Sequence, residues 1–454
     1  MYRETRKRKS IRRCYSQTFR KKSAKRDPSL PDWNFLPLEI VEKIFQFCIW
    51  NEGHIVLKKL GSVSYLWAKV IGLKKFWKNV DFVKGSEQCT NQQLGRMTRN
   101  LFPLLIDCET IRFNNCLTNR QFVDMVPKFN NVRELSFQAA SRVTSGLLTE
   151  LADARSLESL ESINLNGTFR KSIIPKAALN FCFDLMPRLK RLNISNNKMH
   201  ATAAEAFFET INSKCRKMEV FEMENCLYVN GFSDPELDYA EFRQNCQSLK
   251  VFNISCTRFQ AYYPDAELGV VIPGDCLDLR EIYLCSKTAL HLHQTPQRIL
   301  GLVENCKNLE IINVCNLKHM DNFEFLLYLK TKKLRSLNIS YLFTFIFPAQ
   351  IDLISQVTDI FDRWRHCLEE LNISGSTFLE PVWAAIFESF GKDPALRKLW
   401  LRDTDIPQEQ IRFIVKRFEK LIYLNVCSKH NICSTKSIDG VFYEENLKEL
   451  RKQL

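Results

Sequence analysis

Residues 189–195 read LKRLNIS, and the phrase returns as LKVFNIS at 249–255, LRSLNIS at 334–340, LEELNIS at 368–374 and LIYLNVC at 421–427. Common to all five is an apolar residue, two variable positions, a second apolar residue, one variable position and a third apolar residue. Twelve stretches fit, beginning at Cys108, Val132, Leu160, Leu189, Met218, Leu249, Leu279, Leu309, Leu334, Leu368, Leu396 and Leu421. Their spacings run from 24 to 34 residues and average about 28. Alternation at the fourth to sixth positions has the period of a strand. Between strands most segments read as helices, Ala201 to Lys214 most clearly and Trp383 to Phe390 as another.

An apolar phrase at this period is the signature of a leucine-rich repeat. The expected fold is therefore α/β: a leucine-rich-repeat solenoid over residues 108–430, with a curved parallel sheet inside and helices outside. Such an array needs sealed ends, because a bare terminal repeat exposes its core. Leu94, Met97, Leu101 and Leu105 lie at helical spacing, so residues 83–107 are read as a linker and capping helix. Residues 431–454 are read as the C-terminal cap, with Val441, Phe442 and Leu447 available for packing.

The net charge of +14 is unevenly spread. Residues 1–26 hold 12 Lys or Arg against the single acid Glu4, so the rest of the chain carries only about +3. Residues 1–30 are poor in aliphatics and are expected to stay disordered. Their clusters Lys7-Arg8-Lys9 and Arg20-Lys21-Lys22 fit a nuclear-import tail, and a location in nucleus and cytoplasm is expected. The repeats show no basic stripe of their own, so specific nucleic-acid binding is not expected. No apolar run approaches the length of a membrane span. The 17 cysteines, without a secretory signal, suggest free thiols in a reducing compartment. Cys215, Cys246, Cys276 and Cys306 each sit three residues before a repeat's first aliphatic, and Cys116 and Cys226 sit at ninth positions. That regularity points to small buried hydrophobes rather than metal ligands. No catalytic motif, metal set or cofactor loop is found, so a non-enzyme without cofactor or metal is expected.

Residues 33–82 have a different character. Leu36-Pro37 opens a helical pattern in which Ile40, Ile44 and Cys48 form one row, and Val41, Phe45 and Ile49 the next. Asn51 and Gly53 break it, Ile55 to Leu60 fit a short second helix, and Ser62 or Ser64 can cap a third carrying Leu66, Trp67, Val70 and Ile71. Leu36-Pro37, Glu39-Ile40, Ile44-Phe45, Val63-Ser64, Trp67 and Trp77 resemble an F-box, although the middle reads Ile55-Val56-Leu57 where such modules commonly carry Asp-Leu. Joined to the repeats, the chain is similar over about residues 33–454 to the F-box/leucine-rich-repeat family. The resemblance implies a substrate-recognition subunit of an SCF-type ubiquitin ligase. Leu36, Pro37, Ile40, Val41, Ile44, Trp67 and Trp77 would then meet the Skp adaptor, which connects to the cullin and RING core.

Fifth positions should point outward onto the concave face. They are Arg112, Ser136, Asn164, Asn193, Glu222, Asn253, Tyr283, Asn313, Asn338, Asn372, Trp400 and Asn425. A column of amides can serve cross-strand bonding or peptide recognition. Candidate substrate-binding residues on this face are Arg112, Glu222, Tyr283, Asn313, Asn338, Asn372, Trp400 and Arg402, for a protein substrate that the residues do not name. A binding scaffold without a ubiquitin role, its helical segment serving as a cap, is the alternative reading.

Overall fold

The computed structural model describes residues 36–83, 105, 107–113, 131–140, 143–152, 157–229, 236–257, 260–262, 278–286, 303, 305–317, 323–343, 350–426 and 440–454. The basic clusters of residues 1–30 and the apolar row Leu94, Met97 and Leu101 lie outside them. The chain divides into two compact units, Met1–Leu185 and Met186–Leu454. Each has the leucine-rich-repeat-like arrangement of parallel strands joined through helices.

The described residues of the first unit begin with three helices. α1 (Leu38–Glu52) starts at Pro37, whose carbonyl accepts from the Ile40 and Val41 amides at 3.0 and 3.1 Å. It stops at Gly53, whose φ of 71° is open to glycine at little cost. A single 3-10 turn leads into α2 (Leu57–Gly61). α3 (Tyr65–Ile71) is capped by Ser64, whose hydroxyl accepts from the Trp67 amide at 3.2 Å. Val41, Phe45, Leu57, Trp67, Val70, Phe76 and Trp77 are all buried and form this module's core. Phe45 meets Trp67 edge-on at 5.3 Å and Phe76 at 5.8 Å.

The helical module runs directly into a sheet. β1 (Asn79–Asp81), β2 (Thr110–Arg112), β3 (Glu134–Ser136) and β4 (Ser162–Asn164) lie side by side in parallel, and α4 (Ser145–Ala152) and α5 (Lys176–Leu185) follow β3 and β4 in the chain. Thus the sheet begins one strand before the first apolar phrase. Val80 and Phe82 are buried in line with the repeats, and Phe82, Phe113 and Phe137 stack at 5.8 and 6.0 Å. His54 ties the helices to that strand. Its Nδ1 accepts from the Asp81 amide at 3.0 Å, so its Nε2–H donates to the Phe76 carbonyl at 2.7 Å. The bond accepted at Nδ1 needs the neutral ring, because protonation there removes its lone pair.

The second unit contains β5 (Arg191–Asn193), β6 (Lys198–His200), β7 (Val220–Glu222), β8 (Leu227–Val229), β9 (Glu236–Asp238), β10 (Val251–Asn253), β11 (Gln260–Tyr262), β12 (Glu281–Tyr283), β13 (Ile311–Asn313), β14 (Ser336–Asn338), β15 (Glu370–Asn372), β16 (Lys398–Trp400), β17 (Tyr423–Asn425) and β18 (Val441–Tyr443). Its main sheet runs β5-β7-β10-β12-β13-β14-β15-β16-β17, each strand parallel to the next. The pairs β6-β8 and β9-β11 form two small parallel ladders beside it. Among the described residues its helices are α6 (Ala201–Lys214), α7 (Tyr239–Asn245), α8 (Glu324–Leu327), α9 (Gln350–Trp364), α10 (Glu380–Glu388), α11 (Gln408–Arg417) and α12 (Glu444–Gln453). α6 has the expected bounds. α10 begins three residues before the expected Trp383, because Pro381 suits a helix's first turn.

Register explains the apolar phrase. Fourth positions oppose one another from strand to strand, as in Phe221↔Phe252↔Ile282↔Ile312↔Leu337. All 36 first, fourth and sixth positions are 2% exposed or less. Beyond the sixth position the chain must leave the sheet within a few residues, and the eighth residue makes that turn. Ala139, Gly167, Asn196, Asn225, Cys256, Asn316, Tyr341, Gly375 and Asp403 all occupy it with φ between 56° and 69°. The ladder continues through the turn: amides of Ala139, Asn225 and Tyr341 each reach the seventh-position carbonyl of the next repeat at 2.7 Å. Ninth residues then point inward and satisfy turn carbonyls. Thr168 donates to Phe137 at 2.7 Å, Asn197 to Ile194 at 2.7 Å, and Cys226 to Ile194 at 3.3 Å.

A strand and a helix lie at the C-terminal end of the second unit. β18 pairs antiparallel with β17 and covers the sheet's last edge. Behind it α12 buries Leu447, and the Arg451 guanidinium reaches the carbonyls of Val415, Phe418 and Leu421 at 2.8–3.1 Å. Past β14, Leu342 and Phe343 are buried in the core.

Two predictions follow from this packing. A Cβ added to Gly375 would lie 2.1–2.7 Å from the Tyr341 ring, at a φ of +69°. Gly375→Ala should therefore lower stability by about 1–2 kcal/mol in urea unfolding, and adding Tyr341→Ala should recover part of the loss. Burial holds the His54 pKa below its ordinary 6.5. As pH falls the unfolded chain takes the proton first, so stability is full above about pH 6.5 and declines below it. Urea midpoints at stepped pH check this, with a shallower decline in His54→Gln.

Candidate functional site

Catalytic geometry is not assembled in the cavity of the first unit. A solvent-open space of about 390 Å³ lies among Lys74, Lys78, Asp107, Glu109 and Arg133, with no histidine or cysteine on its wall. Four of its charges are internally paired, Lys74 with Asp107 at 2.6 Å and Lys78 with Glu109 at 3.2 Å. Among the described residues no group of three His, Cys, Asp or Glu is placed to hold a metal ion, and no helix is long and apolar enough to cross a membrane. Two surfaces are the candidates for a binding site.

The first is the outer side of α1. The helix has a wide apolar face beside a polar sector of Glu39, Glu42, Lys43 and Gln46, and the module covers only part of that face. Val41 and Phe45 face inward at 0% exposure. Ile40 and Phe47, seven residues apart and so on one row, are 43% and 68% exposed, with half-buried Ile44 between them. Trp50 adds 74%, and Tyr65 at the start of α3 adds 73%. Of the 14 large hydrophobic residues exposed among the described residues, seven fall in residues 38–83. Scattered exposed apolar residues need no explanation, but a concentration marks a contact surface.

The seven residues expected at the adaptor therefore divide. Leu36, Pro37, Ile40 and Ile44 lie on accessible positions. Val41, Trp67 and Trp77 are corrected to core: they are 0%, 5% and 0% exposed, and the Trp77 indole donates to the Ile71 carbonyl. A side chain without exposed area has nothing to offer a partner. Phe47, Trp50 and Tyr65 were missed, although the i, i+7 spacing of Ile40 and Phe47 carries the signal.

The second surface is the outward face of the strands. Fifth positions from Ser136 to Asn425 are half-buried, and Arg112 is exposed. Cross-strand ladders are not the main use of the amides. Oδ1 of Asn164, Asn193, Asn253, Asn338 and Asn372 each accepts from the amide two residues ahead, at 2.9–3.1 Å. The asparagine thus closes the strand into its turn. Asn313 differs: its Oδ1 lies 2.7 Å from the Cys285 sulfur. The bonds leave the column fewer acceptors for peptide recognition than the sequence suggested.

Residues that break the column form two local groups. Glu222 lies between Asn193, whose Nδ2 donates to it at 2.7 Å, and the carboxylates of Glu224 and Glu281. Burial and then those two charges push its pKa upward. Tyr283 donates to Glu281 at 2.9 Å, and burial followed by that bond raises its phenol. Four strands further on, Trp400 packs on Tyr423 at 5.1 Å, and Tyr423 on Tyr443 at 5.6 Å. Arg402 is exposed beside them and pairs with Asp403 at 3.5 Å. At about 4.8 Å per strand, Tyr283 and Trp400 are roughly 19 Å apart, so they do not converge on one pocket. Glu281 and Tyr423 were missed because they occupy third positions, which also face outward; Tyr443 belongs to the unforeseen β18. Arg112 lies in the first unit, 3.9 Å from Asp81.

No family model matches the chain, and no curated protein matches it. Among solved structures it is similar to the crystal structure of the Rad7 and Elc1 complex in yeast, with a TM-score of 0.47 and 17% identity over 90% of this chain and 96% of that one. It is also similar to the crystal structure of a TLR13–ssRNA13 complex, with a TM-score of 0.32 and 13% identity over 72% of this chain and 53% of that one. Likenesses this distant carry no weight for function, which rests on the residues themselves.

Asn372→Ala should lower stability by about 1 kcal/mol in thermal unfolding, because the Ser374 amide loses its acceptor. Unchanged stability would mean that the column is kept for a ligand and not for the turns.

Proposed function

We propose that this protein is a non-catalytic substrate receptor of an SCF-type ubiquitin ligase. The helical module, read as an F-box, docks the Skp adaptor through the outer side of α1, and the strand face holds a target protein. The single observation that carries the reading is the uncovered apolar row of Ile40, Ile44 and Phe47 with Trp50 beside it. Such a row suits a helix-packing partner, and leaving it in water is unfavourable. Along the strand face, Glu222 to Trp400 spans six strand steps, roughly 29 Å, which suits an extended segment of a target. Ubiquitin transfer would be accelerated by proximity alone, with the chemistry on other subunits. The basic tail of residues 1–26 would direct the protein to the nucleus as well as the cytoplasm.

One observation favours the second reading, a repeat scaffold whose helices are only a cap. His54 bonds the helices to β1, and β1 pairs with β2, so the module also seals the sheet. The two readings separate on the exposed row. Phe47→Glu with Trp50→Glu should leave thermal stability within about 0.5 kcal/mol, since neither side chain is in the core. In a pull-down with the Skp adaptor the same variant should lose binding at least tenfold. Absence of adaptor binding by folded wild type would reject the receptor reading in favour of the scaffold.

A further inference from the structure

Among the described residues, five thiols are closed to chemistry. Cys108, Cys182 and Cys226 are pushed up to about 12 by burial, and Cys215 and Cys246 are hydrogen-bonded to one another but 0% exposed. Cys285 and Cys315 are a different case. Both are seventh residues, and the register Tyr283↔Asn313 places them opposite each other on neighbouring repeats. The Ser286 amide donates to the Cys315 carbonyl at 3.1 Å and holds that alignment past the strands. Adjacent parallel backbones lie about 4.8 Å apart, inside the roughly 4.4–6.8 Å window between Cα atoms that a disulfide spans. The two thiols are hydrogen-bonded to each other. Cys315 is partly exposed and Cys285 is 9% exposed, on the outward face where small solutes arrive.

We propose that Cys285 and Cys315 are an oxidation-sensitive thiol pair, which hydrogen peroxide converts to a disulfide on the outward strand face. Donation by the Cys315 S–H draws the Cys285 pKa below its ordinary value and raises that of Cys315. Cys285 is therefore the first to react. Its thiolate attacks one peroxide oxygen; an S–O bond forms, the O–O bond breaks, and the departing hydroxide is protonated to water. The Cys315 sulfur, giving up its proton, then attacks the sulfenic sulfur; the S–S bond forms, the S–O bond breaks, and a second water leaves. Two thiols and one peroxide give one disulfide and two waters, with sulfur oxidised and peroxide reduced. In the reduced chain the Cys285 sulfur lies against the Asn313 Oδ1 at 2.7 Å. Oxidation removes that S–H donor and frees a side chain of the face beside Tyr283, so the thiol state would alter what the face presents.

The test treats the full-length reduced protein with stoichiometric hydrogen peroxide, followed by non-reducing peptide mapping. The expected result is a Cys285–Cys315 linked peptide, two thiols lost per chain, and full reversal by dithiothreitol. Cys285→Ser and Cys315→Ser should each abolish the link, with thermal unfolding confirming that both variants fold. Oxidation of Cys285 to sulfinic or sulfonic acid without a link would overturn the proposal. So would a link to Cys256, which lies on the preceding repeat, or an unmodified pair at peroxide excess.

Discussion

Strands of three residues cannot satisfy their own backbones, and in this protein the ladder between repeats runs well beyond the strand. Second-position carbonyls accept two amides from the following repeat; that of Lys190 takes Glu219 and Val220 at 2.7 and 2.9 Å. Eighth-position amides reach the next repeat as well. Each repeat is thus completed by its neighbour, and an isolated one would leave both its apolar positions and its peptide groups open. The ends must be finished by something other than another repeat. In the first unit His54 and β1 do so; in the second, β18 and the Arg451 guanidinium do. Ion pairs along the second positions, such as Arg335 with Glu369 at 3.1 Å, are exposed and add little to this.

The part of the fold that depends on burial was legible in the sequence. A period-two phrase identifies inward positions directly, and the 36 residues it named are the sheet's core. Local capping chemistry was legible too, in Gly53 and Ser64, because it depends on side chains next to the helix ends. Pairing geometry was not. β1 lacks the full apolar phrase, and β18 joins with the opposite polarity from every strand before it, so neither shows as a repeat. The asparagine column was visible as a pattern, but its main role required knowing that a left-handed residue follows three positions later.

For the candidate site, the sequence singled out α1 but did not separate its buried from its exposed faces. Two adjacent apolar rows on α1 look alike as letters, and only the packing of α3 decides that Val41 and Phe45 go inward while Ile40 and Phe47 do not. The large aromatics Trp67 and Trp77 were drawn into the contact set by resemblance, yet a fifty-residue module needs them for its own core. The strand face presents an acidic group near Tyr283 and an aromatic group at Trp400, Tyr423 and Tyr443, separated along one sheet. That layout fits a chain laid across several repeats better than a small molecule held in a pocket.

Hydrogen–deuterium exchange of the full-length protein, with and without the Skp adaptor, tests the central claim most directly. The account predicts strong new protection across residues 38–52 and at the start of α3, with the strand face unchanged until a target is added. Protection confined to the repeats, or none at saturating adaptor, would contradict it.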